Sequence, residues 1–154
     1  MTPRHATTRT WMHVGWLGLV LTASGCCGDG IEYFPVTGQV TLDGKPLPDA
    51  VVSFMPDDEG GVASLGETDA KGVYALRQTA DLNGAPVGKY TVRVTTYREG
   101  KPDADSPFPG VPEKVPARYN VRTTLSAEVE PKENSIGFEL SSKGEIIQPP
   151  SDTL

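Results

Sequence analysis

Apolar and polar residues alternate with a period of two in seven short runs, each bounded by turn-forming residues, and this pattern predicts strands. In Val36–Leu42, Val36, Val40 and Leu42 share one face, with Thr37, Gln39 and Thr41 opposite. Asp43-Gly44 marks a tight turn because glycine accepts positive φ. Pro46 and Pro48 are expected to keep the next residues extended and outside any ladder. Ala50–Met55 follows with Val52 and Phe54 inward, then a polar loop from Pro56 to Gly61. Val62–Thr68 is a weaker strand, and Asp69-Ala70-Lys71-Gly72 forms a type I turn closed by a left-handed glycine. Val73–Arg77 turns Tyr74 and Leu76 inward. Gln78–Val87 reads as loop, and the strand opened by Gly88-Lys89-Tyr90 puts Tyr90, Val92 and Val94 on one face.

Five prolines, at 102, 107, 109, 112 and 116, interrupt Arg98–Arg118 and predict a long excursion across the domain edge. Leu125–Val129 resumes the alternation, Pro131–Asn134 turns, and Ile136, Phe138 and Leu140 form the last inward set. Ser141–Leu154 reads as a loose tail. Seven strands so spaced predict an all-β domain of two sheets packed face to face with Greek-key connections. No 3.6-residue apolar period competes with this reading after Cys26.

The first 25 residues differ in kind. Arg4 and Arg9 are followed by an apolar stretch, Trp11–Leu21, and the small residues Thr22–Gly25 lead to Cys26, as in an export signal. The apolar stretch is short for a bilayer-spanning helix and His13 interrupts it. The predicted organisation is therefore a signal over 1–25, a lipidated N-terminus and tether over 26–35, a β-sandwich over 36–141 and a flexible tail over 142–154. Both histidines, His5 and His13, lie in the signal. Cleavage before Cys26 leaves a chain without imidazole. It also removes two of the 14 basic residues and none of the 20 acidic ones, lowering the formal charge from −6 to −8. That balance opposes nucleic-acid binding, which needs clustered Lys and Arg. No cofactor and no metal site is expected.

Cys26 and Cys27, the two cysteines of the chain, are adjacent and too close for an ordinary disulfide. Ala23-Ser24-Gly25-Cys26 resembles a bacterial lipoprotein box, although Ala23 stands where leucine is usual. The resemblance implies thioether lipidation of Cys26, an N-terminal lipid anchor in a membrane and an extracytoplasmic address in the bacterial cell envelope.

Four further stretches carry a second resemblance: Val36–Ala50 with its Asp-Gly-Lys-Pro-Leu-Pro-Asp-Ala run, Thr68–Tyr74, Gly84–Tyr90 and Pro116–Tyr119. In this order they resemble bacterial lipoproteins built on a carboxypeptidase-regulatory-like or transthyretin-like (prealbumin-like) domain, a seven-stranded Ig-like sandwich. The likeness runs over residues 36 to 141. It implies an accessory, adhesive or binding module rather than an enzyme. Transthyretin-like hydrolases of 5-hydroxyisourate rely on histidines and a Tyr-Arg-Gly-Ser signature, neither of which follows Cys26 here. Zinc peptidase chemistry would likewise need histidine ligands.

The candidate chemistry is correspondingly sparse. Tyr97, Phe108 and Tyr119 flank or occupy the proline-rich excursion and are expected to line a recognition surface for an envelope protein or glycan. Asp57-Asp58, or Asp103 with Asp105, offers oxygen ligands for calcium in no dedicated loop spacing, so a solvated acidic loop is the better reading. A Lys45–Asn134 crosslink is a weak prospect because both positions are turn-like. Two further modes stay open: a small-molecule carrier that acts as an oligomer, and partner binding by strand addition at an open sheet edge.

Overall fold

The computed structural model describes residues 30–100 and 110–149. Its elements are β1 (Tyr33–Phe34), β2 (Val36–Leu42), β3 (Lys45–Pro46), β4 (Val51–Pro56), β5 (Ser64–Glu67), β6 (Val73–Ala75), β7 (Ala85–Pro86), β8 (Gly88–Thr95), a 3-10 turn (Ala117–Tyr119), β9 (Leu125–Val129), β10 (Asn134–Ser135) and β11 (Phe138–Leu140). Among the described residues the fold is all-β. Each of the seven alternating runs contains a strand of three residues or more, and four two-residue strands lie beside them.

β4 and β8 are central to one antiparallel sheet in the order β5-β4-β8-β9. β2 is the axis of the other, with β6 and β3 antiparallel along one edge and β10 and β11 parallel along the opposite edge. β1 and β7 form a separate two-stranded sheet, and the chain passes between the two larger sheets four times: after β3, after β5, after β6 by way of β7, and after β9. Leu65 and Arg77 exchange both backbone hydrogen bonds, at 2.8 Å each, which ties β5 to the continuation of β6 and joins the sheets at that corner.

The inward faces meet in one core containing Val36, Val40, Val52, Phe54, Tyr74, Tyr90, Val92, Val94 and Phe138. Phe54 is its hub: its ring centroid lies 5.7 Å from Tyr90, 6.2 Å from Phe138 and 6.4 Å from Tyr74. Such tilted aromatic contacts add directional attraction to the burial of area. At Gly38 the backbone of β2 is crossed so closely that a Cβ would lie 1.7 Å from the Ile136 carbonyl oxygen. The Tyr74 hydroxyl donates to that same oxygen at 2.7 Å. A missing side chain on the first long strand thus admits both the last strands and an aromatic from β6.

Four expectations need correction. Pro46 does join a ladder, because Asp43 and Gly44, both at positive φ, fold β3 back onto β2 with Thr41 opposite Pro46. A proline at the edge of a sheet needs no N–H donor on its outer side. The segment 26–35 is not all tether, since Tyr33-Phe34 pairs with Ala85-Pro86 and Phe34 packs against the core. That pairing also places a short strand within Gln78–Val87, expected as loop. The segment after Leu140 is held as far as Gln148. Ala117 N–H donates to the Glu145 carbonyl at 2.8 Å, Arg118 reaches the carbonyls of Ser141 and Lys143, and Gln148 bonds both ways with the Glu113 backbone.

Candidate functional site

Of the three aromatic residues expected to line a recognition surface, the structure describes two, and Phe108 lies outside the described residues. Tyr97 borders a shallow, open cleft of about 290 Å³ with Arg98, Val111, Pro112, Gln148 and Pro149. Tyr119 sits elsewhere in its contacts: it packs on the core, accepts a hydrogen bond from Ser141 N–H at 3.2 Å, and carries the Arg118 guanidinium 4.8 Å from its ring centre. Tyr119 therefore fastens the C-terminal segment to the body and is absent from the lining of the Tyr97 cleft.

The latter part of the proline-rich excursion turns inward. Val115, Pro116 and Ala117 are buried, and the segment is anchored by Glu113, itself 5% exposed. The Glu113 carboxylate accepts from the Thr95 hydroxyl, from Thr96 N–H at 3.0 Å and hydroxyl at 2.9 Å, and from Val115 N–H at 2.9 Å. Burial alone would raise its pKa, but these donors outweigh burial and hold the carboxyl below the usual glutamate value. A buried anion with this set of donors is a structural clamp between the end of β8 and the returning chain.

A second groove is the more enclosed of the two, and sequence reasoning missed it. It occupies about 280 Å³ at the end of the sandwich where β1, the Pro56–Val62 loop and the start of β8 converge. Tyr33 and Tyr90 form its wall. The Tyr33 hydroxyl bonds to Gln78 Oε1, and the Tyr90 hydroxyl donates to the Pro86 carbonyl at 2.8 Å. Burial, together with the proximity of Tyr33 and the Asp58 carboxylate, raises the Tyr90 pKa. Ile31, Val62 and Val87 line the opening with 69%, 61% and 52% of their surfaces exposed. Three large apolar side chains left in water around one opening depart from the scattered exposure of an ordinary surface. The signal available in the sequence was slight: Ile31 and Tyr33 fall in a segment too short for periodicity, and Val87 is the single residue between β7 and β8.

Asp57 at the neighbouring loop accepts from the Thr91 hydroxyl at 2.8 Å. Among the described residues, no three His, Cys, Asp or Glu side chains converge as a metal-binding group. Asn134 is buried, and its amide bonds the backbone of Glu130 and Lys132, so it is engaged within its own turn. Among the described residues, no helix is long and apolar enough to cross a membrane.

No family model matches the chain, and no curated protein matches it. Two solved structures are similar in part. A DUF3823 family protein from Parabacteroides merdae aligns at 15% identity and a TM-score of 0.40, over 72% of this chain and 47% of that one. A 9R-lipoxygenase from Cyanothece aligns at 19% identity and a TM-score of 0.39, over 70% of this chain and 16% of that one. The chain thus spans less than half the length of either structure.

Proposed function

We propose that this protein is a non-catalytic, lipid-anchored module of the bacterial cell envelope, with an Ig-like, transthyretin-like seven-stranded Greek-key sandwich held outside the cytoplasm for binding or envelope assembly. The observation that carries the reading is the position of Cys26. This cysteine follows three small residues and stands seven residues before a β-body that begins at Tyr33. Seven extended residues reach at most about 25 Å, so the body is kept close to the anchoring surface. Diacyl or triacyl attachment contributes about 0.8 kcal/mol per buried CH₂, enough for stable retention.

The non-catalytic part rests on the chemistry available. No histidine follows His13, and the described groups with shifted ionisation hold loops and core. Binding is better supported at the groove walled by Tyr33 and Tyr90 than at the Tyr97 cleft, because apolar rim residues concentrate there. Cys26→Ser is expected to abolish incorporation of labelled palmitate and to move the protein from the membrane pellet to the soluble fraction. Label and membrane association both retained at the wild-type level would overturn the proposal.

A further inference from the structure

The groove walled by Tyr33 and Tyr90 has a second property besides its apolar rim. Asp58 and Lys89 are the charged residues that line the groove, and Glu32, Asp57 and Glu59, all exposed, stand beside them on the segments that form its mouth. Asp58 is close enough to the Tyr90 hydroxyl to affect its ionisation. The opening is therefore greasy at its lip and negative around it. Its volume, about 280 Å³, is at or below the small end of the ~300–1,000 Å³ typical of sites for drug-sized molecules and cofactors. That space suits a side chain inserted by a partner.

We infer that this groove is a docking site for a peptide segment of a partner protein that presents an apolar side chain next to Lys or Arg. The apolar side chain enters between Tyr33 and the Val62 and Val87 rim, and its exclusion of water supplies the attraction. The flanking cation meets Asp58 and its acidic neighbours, which speeds encounter and discriminates against acidic partners. A cation lying over the face of a tyrosine ring is attracted to it as well. The anionic mouth disfavours a bilayer rich in acidic lipid as the occupant, since like charges would face each other across the contact. This inference rests on the binding-module reading but needs no lipid at Cys26.

The test is an NMR titration of the purified full chain with three blocked tripeptides: acetyl-Lys-Phe-Lys-amide, acetyl-Glu-Phe-Glu-amide and acetyl-Lys-Ala-Lys-amide. The Gly60, Gly61 and Lys89 amides report on the groove. Lys-Phe-Lys is expected to shift them with an affinity at least about tenfold above the other two, the size expected from several exposed charge pairs plus one buried ring. Asp58→Asn should reduce that preference, Val87→Ser should weaken both Phe peptides and leave Lys-Ala-Lys unchanged, and Glu139→Gln, on an outward position of β11, should change none of the three. Equal affinity for Lys-Phe-Lys and Glu-Phe-Glu would overturn the charge complementarity while leaving a binding module in place. No shift with any of the three peptides would overturn the docking site, as would the same amides responding only to phosphatidylglycerol vesicles.

Discussion

Replacing Phe54 by alanine is expected to destabilise the fold by about 3–5 kcal/mol, measured as a lower urea midpoint at unchanged slope. Phe54 is fully buried, and three aromatic rings, from β6, β8 and β11, lean on it within 6.4 Å. Those three neighbours belong to both sheets, so the residual cavity cannot close without moving one sheet relative to the other. Phe138→Ala, at 7% exposure and closer to the rim, should cost less than Phe54→Ala. A loss below about 1 kcal/mol at Phe54 would mean that the sheets do not pack through this ring.

Glu113→Ala should cost about 2–5 kcal/mol, because it leaves the buried N–H groups of Thr96 and Val115 without an acceptor. The pH dependence separates charge from shape. The Glu113 carboxyl is held below its unfolded value, near pH 4.3, so its stabilising contribution is complete above that value and disappears as pH falls through the lower folded one. Glu113→Gln retains an acceptor but cannot ionise, and should flatten the acid limb of the stability curve. The wild-type limb persisting unchanged in Glu113→Gln would assign the acid sensitivity to other carboxylates, such as Asp43, whose pKa is also lowered, chiefly by hydrogen bonds from Ser142.

The long-range plan of the fold was legible where a side-chain period had room to repeat. Val36 with Val40, Val52 with Phe54, and Tyr90 with Val92 and Val94 occupy the core as their alternation predicts. Turn chemistry was legible too: Gly72 has φ +73°, and the Asp69 carboxylate accepts from the N–H groups of Lys71 and Val73. Two-residue strands cannot display a period, so the β1–β7 pair was invisible, and with it the groove that Tyr33 helps to wall. Parallel pairing of β2 with β10 and β11 depends on the room made by Gly38, a property of packing rather than of pattern. Glu113 was missed for a related reason. In a proline-rich stretch a glutamate looks solvated until the donors of Thr95 and Thr96 are brought to it from β8 and its end.

The acidic surface and the apolar groove meet at one end of the body, beside Ile31 and Tyr33.

The most direct measurement is the intact mass of the protein extracted from membranes. A chain that starts at Cys26 and carries the added mass of two or three acyl chains is the expected result. A chain that still begins at Met1, with no lipid mass attached, would contradict the anchored module.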